Sequence, residues 1–162
     1  MTRQRLSTST FTDWNARESD IISVFVDTGV FVGARNSKDN KHMSSVEVIK
    51  KALKGAFGAV YTSDYIVDEA VTLALARTGK PEIAFDIGNF IIKSDRIKLL
   101  WTDKNVFASA WEMFRRYSER RLSFTDCISL SHIEDKKIKF ILSYDSGFRG
   151  LAEYAETMLT DQ

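Results

Sequence analysis

A chain of 162 residues fits one domain and is long enough to bury a core. Its 23 basic and 22 acidic residues leave a formal net charge of +1, which excludes a uniformly basic surface. It leaves room for a local site in which acids hold cations and a few arginines hold phosphates.

Apolar runs fall well short of the roughly 20 residues a membrane span needs, and residues 1–20 carry no apolar signal-peptide core. The single cysteine, Cys127, permits no intrachain disulfide. A reducing cytoplasm without a membrane partner is therefore expected, with Cys127 packed as a small hydrophobe.

In chain order, residues 1–20 lack clear periodicity and read as an N-terminal arm, where Phe11 and Trp14 could form a short docked turn. Residues 21–162 carry the domain. The stretch Ile21 to Gly29, IISVFVDTG, predicts a buried strand that delivers the carboxylate of Asp27 to its C-terminal tip. Taken alone, the stretch favours Asp27 as an Asx-turn residue, with Gly29 supplying the bend.

Phe31 to Ala34 fit one helical turn, and the polar run Asn36 to His42 fits a solvated loop with His42 on the surface. Ser44 or Ser45 can cap a helix through Val46, Ile49 and Leu53 that ends at Gly55 and Gly58. A second strand covers Ala59 to Thr62. Ser63 and Asp64 supply N-cap chemistry for the following helix, which runs to Gly79. Its acids, Asp68 and Glu69, flank the apolar face on opposite sides, and periodicity does not choose between them.

Pro81 suits the first turn of a helix reaching about Lys93. Ile97 to Trp101 predict a third strand. Thr102 or Asp103 then caps an amphipathic helix whose stripe of Val106, Phe107, Ala110, Trp111, Phe114 and Tyr117 is expected in the core. Arg115, Arg116, Arg120 and Arg121 cluster where that helix ends, positions that suit either the helix dipole or a phosphate.

Ser123 caps the next helix and puts Asp126 at its third position, the acidic member of a capping box. That structural role competes with any ligand role for Asp126. Lys139 to Ser143 predict a fourth strand with Asp145 two residues beyond its tip, and Glu156 to Thr160 a short fifth.

Strands alternating with helices predict a three-layer α/β/α sandwich with a central parallel sheet of four or five strands, its ligands beyond the strand C-termini. If the first and fourth strands are neighbours, Asp27, Asp126 and Asp145 converge. Crowded carboxylates raise one another's pKa unless a cation lies between them.

Hard oxygen ligands select Mg²⁺ or Mn²⁺, while His42, His132 and one cysteine form no zinc pattern. Such a cation can activate water and neutralise charge on a phosphoryl group, and two cations about 3.5–4 Å apart can stabilise both attacking and leaving oxygens. This is chemistry for phosphodiester hydrolysis, with no covalent nucleophile and no Ser-His-Asp arrangement.

Taken together, Asp27 after its strand, the helix acid in SDYIVDEA, Asp126 in LSFTDC and Asp145 in SYDSGF resemble the PIN-domain nucleases, particularly the VapC-type toxin ribonucleases. The resemblance covers roughly residues 21 to 160 and rests on the order of these motifs. It implies a PIN-like fold and an endoribonuclease that cleaves single-stranded RNA with Mg²⁺ or Mn²⁺ held by Asp27, Glu69, Asp126 and Asp145.

Glu69 is preferred to Asp68 because the family's glutamate follows a Thr or Ser by about seven residues, as Glu69 follows Thr62. Thr28 and Ser143 match polar positions that support the ligands, and Phe148 matches a packing aromatic. Arg120 or Arg121 would contact RNA phosphate. The resemblance also implies a homodimer and a small antitoxin protein as partner.

An RNA-processing nuclease without an antitoxin and a noncatalytic RNA- or protein-binding module of the same fold are the competing functions. Retention of all four acids disfavours the noncatalytic module. Gly29, where a haloacid-dehalogenase-like phosphatase would carry a second Asp, disfavours that class, and Val26 before Asp27 disfavours a response-regulator receiver.

Overall fold

In the computed structural model, which describes residues 22–151 and 156–158, the apolar run near the start of the domain becomes β1 (Ser23–Val26), buried at every position. The arm expected over residues 1–20 lies outside the described residues.

The chain passes through Asp27 directly into α1 (Thr28–Arg35), twice as long as the single turn expected at Phe31 to Ala34. Val30, Phe31, Val32 and Ala34 are all buried, so the helix is enclosed by the fold on nearly all sides. The next helix, α2 (His42–Leu53), has Lys41 at its N-cap, three residues before Ser44 and four before Ser45, the two expected caps. Its N-cap makes no side-chain bond, but His42 Nδ1–H donates to the Gly33 carbonyl at 2.8 Å. His42 is thus half-buried and ties two helices together, instead of lying on the surface.

The following segments match their sequence signals closely. β2 (Ala59–Ser63) leads into α3 (Asp64–Thr78), where Ser63 caps the helix by accepting from Ile66 N and Gly79 ends it in the left-handed region. Pro81 opens α4 (Pro81–Ile92), which precedes β3 (Ile97–Leu100). Asp103 caps α5 (Lys104–Arg116), accepting from the N–H groups of Asn105 and Val106. Thr102 instead donates from N and Oγ1 to Asp64 and lies 3.2 Å from His132 Nε2, joining the end of β3 to α3 and α6 (Phe124–Lys136). β4 (Phe140–Leu142) and β5 (Glu156–Met158) complete the sheet.

All pairings are parallel and the strand order is β3-β2-β1-β4-β5. β1 is central, with Phe25 opposite Tyr61 on one side and Ile141 on the other. Successive strands run from β1 to β3 on one side, and the chain then crosses back to β4 on the other. Right-handed crossovers therefore put α1–α4 on one face and α5–α6 on the opposite face. The gap between the C-terminal ends of β1 and β4 is the topological switch point, where such sheets bind ligands. Among the described residues, no helix is long and apolar enough to cross a membrane.

The α5 stripe departs from expectation. Val106, Ala110 and Met113 are buried, but Phe107, Trp111 and Phe114 remain 45%, 49% and 38% exposed. Ser131 Oγ on α6 donates to the Val106 carbonyl at 3.1 Å, so the two helices approach closely and the large rings lie along the flank of the contact. There they gather around Phe124, with ring centroids 5.1, 6.2 and 5.9 Å away.

Candidate active site

The ends of β1 and β4, the middle of α3 and the start of α6 line one open polar cleft of about 580 Å³. β1 sends its last backbone bond from Asp27 N to the Leu142 carbonyl at 3.0 Å, which fixes Asp27 beside β4. Asp27 is 7% exposed, and its carboxylate accepts from Ser143 Oγ at 2.6 Å. The same Ser143 oxygen accepts from Asp145 N at 2.9 Å, so one hydroxyl joins two of the expected acids.

Asp145 caps a short 3₁₀ turn (Ser146–Phe148) by accepting from Gly147 N at 2.7 Å. Phe148, at the end of that turn, is buried as expected of a packing aromatic.

Glu69 reaches the cleft from α3 and accepts from Thr28 Oγ1. Asp68 is exposed and does not line the cleft. Thr62, one residue before the α3 cap, is buried and donates to the Val26 carbonyl at 2.9 Å, holding β2 against the tip of β1.

Asp126 occupies the third position of α6, and its Oδ2 accepts from Ser123 N at 2.7 Å while its own N–H donates to Ser123 Oγ at 3.0 Å. The capping box is therefore real, and it also aims Asp126 at the cleft. Capping and site geometry coexist in one side chain.

The two arginines differ. Arg121, held in the left-handed region at φ 56°, lines the cleft. Arg120 does not line it and donates to the Arg149 carbonyl at 3.1 Å.

Burial pushes the Asp27 carboxyl up to about 7; the Ser143 hydrogen bond offsets this in part, while the charge of Asp126 and then that of Glu69 add to the rise. Burial also raises Asp126, opposed by its bonds to Ser123 and reinforced by Asp145 and Glu69. Two acids held above the ordinary carboxylate range by burial and mutual repulsion form an electronegative cavity that a cation would relieve.

The donor set fits a hard divalent ion: four carboxylates, each with an oxygen held by a protein donor, and neither thiol nor imidazole in the cleft. Among the described residues, no three acids, histidines or cysteines close into a cage. A cation here would share its coordination with water and substrate, as Mg²⁺ characteristically does.

Tyr144 also lines the cleft, and its hydroxyl lies 2.7 Å from Ser44 Oγ and 2.9 Å from Ser45 Oγ. No local signal in SYDSGF marks that partnership, which spans about 100 residues. Cys127 is buried, and burial pushes its thiol up to about 11, so it packs as the expected hydrophobe.

A doubly wound parallel sheet with acids from four segments around its switch point defines an α/β protein of the carboxylate-site type. The chain belongs to the PIN domain family, whose pattern matches residues 24–154. It is 36% identical over 128 residues to a VapC ribonuclease of Archaeoglobus fulgidus, covering 78% of this chain and 80% of that one.

Among solved structures, it is similar to VapC20 of Mycobacterium tuberculosis, a Sarcin-Ricin loop cleaving toxin. That match has a TM-score of 0.70 at 24% identity over 81% of this chain and 95% of the other. VapBC2 from Rickettsia felis, solved bound to a DNA fragment from their promoter, matches with a TM-score of 0.60 at 11% identity, covering 85% and 99%.

Proposed function

We propose that the chain is a metal-dependent endoribonuclease of the VapC type that hydrolyses phosphodiester bonds of single-stranded RNA, and that it acts in the cytoplasm as the toxin of a toxin–antitoxin pair. The observation that carries this reading is the meeting of Asp27, Glu69, Asp126 and Asp145 around one cleft at the β1–β4 switch point. Family membership and the VapC ribonuclease relative support the reaction class.

In this reading the four acids hold Mg²⁺ or Mn²⁺. A cation held there would supply neutralisation of charge on the phosphoryl oxygens and activation of a water. The chain's own residues orient that site. Ser143 holds Asp27, Thr28 holds Glu69 and the Ser123 backbone holds Asp126, each limiting rotation of the carboxylate it touches. Arg121 supplies a positive contact for RNA phosphate at the cleft, whereas Arg120, which donates to the Arg149 carbonyl, does not line it.

A small antitoxin and a second copy of the chain are the proposed partners. The VapBC2 structure and the exposed rings of α5 support the presence of protein contacts. Calorimetric titration of the chain with Mn²⁺ tests the cation site: saturable binding is expected, weakened at least about tenfold in Asp27→Asn. Equal affinity in the variant would contradict the ligand assignment.

A further inference from the structure

An aromatic ring in a cleft walled mostly by acids and hydroxyls calls for a physical reason. Tyr144 sits between Ser143, which holds Asp27, and Asp145, and its ring is only half-buried. Three features hold it in place. Its hydroxyl is shared with Ser44 and Ser45 of α2, at 2.7 and 2.9 Å. Ser45 is fully buried where α2 crosses Gly33; a Cβ at Gly33 would overlap Ser45 Oγ, so that glycine lets the anchor approach α1. Lys41 Nζ lies 5.3 Å from the ring centroid, within cation–π range.

Gly29 also lines the cleft; a Cβ there would lie 3.5 Å from Tyr144 Cδ2, in van der Waals contact, so glycine places no side chain against that edge of the ring.

We propose that Tyr144 is a substrate-positioning residue: its anchored ring receives the base of the nucleotide beside the scissile phosphate. The inference rests on the nuclease reading above. Single-stranded RNA offers unstacked bases that dock on aromatic faces, and stacking is the attractive contact least sensitive to the negative charge of the surrounding acids. An anchored phenol loses little conformational freedom on meeting a base, because its orientation is already set by α2. The contact tolerates any base, so it fixes the position of the strand without imposing a sequence.

Binding of a fluorescein-labelled single-stranded RNA is measured by anisotropy in an Asp126→Asn background that blocks cleavage, alongside steady-state cleavage in the otherwise unaltered chain. Tyr144→Ala and Tyr144→Leu are expected to weaken binding and raise KM about tenfold, with kcat and Mn²⁺ affinity little changed. Tyr144→Phe, which keeps the ring and loses the anchor, should fall between these and the parent.

A purely structural tyrosine would lower thermal stability without moving KM. Tyr144→Leu that binds RNA as tightly as the parent overturns the proposal, as does a defect confined to kcat. RNA carrying 4-thiouridine, photo-crosslinked to the unaltered chain, gives a readout that needs no variant. The adduct is expected on the peptide containing Tyr144, and adducts only elsewhere overturn the proposal. If the parent neither binds nor cuts RNA, the nuclease reading itself falls, an outcome distinct from a parent that cuts RNA and a Tyr144 variant that matches it.

Discussion

Asp27 is a carboxylate withdrawn from water at the end of a fully buried strand, and burial is the main cause of its rise to about 7. Because the folded state takes up this proton more readily than the unfolded chain, the associated stability is fully present below about pH 3.9 and is lost as pH rises through about 7. The difference corresponds to about 4 kcal/mol at pH 8. Asp126 adds to the same trend, since its pKa is also raised. Urea unfolding of chelated protein at pH 5 and pH 8 should therefore show a steeper loss of stability in the parent than in Asp27→Asn, with the variant the more stable at pH 8. A parent no more pH-sensitive than the variant would contradict the burial of an ionisable Asp27. Added Mn²⁺ should stabilise the parent at pH 8 and stabilise Asp27→Asn much less at the same concentration.

At the scale of elements, the first turn of α6 carries a capping box and a cleft carboxylate in one side chain, and substitutions separate the cap from the proposed ligand role. Ser123→Ala removes the cap and is expected to cost about 1 kcal/mol in thermal unfolding. Asp126→Asn keeps an oxygen able to accept from Ser123 N, so it should cost less stability but lose cation affinity. Equal Mn²⁺ binding in Asp126→Asn and the parent would leave Asp126 with its capping role alone. Before β2, Gly58 has φ +72°, and a Cβ there would overlap the Ile22 carbonyl. Gly58→Ala is expected to destabilise by about 2 kcal/mol or more, read from the urea midpoint.

How far these elements could be read from the sequence depended on where their signals lie. Ser63, Pro81, Asp103 and Ser123 announce helix starts through local backbone chemistry, and each helix begins beside its signal. The start of α2 was hidden because its first turn is tied by His42 to Gly33 on another helix. The length of α1 was hidden because it follows β1 with Asp27 alone between them and has no side-chain cap to mark its start. Phe107, Trp111 and Phe114 share the helical spacing of core residues, and only the close approach of α6 decides that they stay outside. Among the acids, strand tips and a capping box marked Asp27, Asp145 and Asp126. The choice of Glu69 over Asp68 needed the third dimension or a family pattern. Tyr144 needed the fold outright, since its partners Ser44 and Ser45 are about 100 residues away.

At the scale of the whole molecule, the strand order gathers the site. Had β4 been added beside β3, Asp145 would lie across the sheet from Asp27. Pairing β4 with β1 brings the two tips together and lets one serine hold both. The near-neutral net charge is compatible with the proposed site, in which a cation and a few local arginines would meet the phosphates without a basic surface. The exposed rings of α5 form an apolar area beside α6, and we expect Trp111→Glu to lower the mass measured by light scattering if a homodimer forms there. An unchanged dimer mass would put the contact on another face.

The most direct test of the four-acid site is cleavage of single-stranded RNA by the purified chain with Mg²⁺ or Mn²⁺, repeated after chelation and in single variants. Cleavage is expected to stop on chelation and to fall at least about a hundredfold in Asp27→Asn, Glu69→Gln, Asp126→Asn and Asp145→Asn, while Asp68→Asn stays close to the parent. Cleavage that survives chelation and the loss of Asp27 would contradict the site.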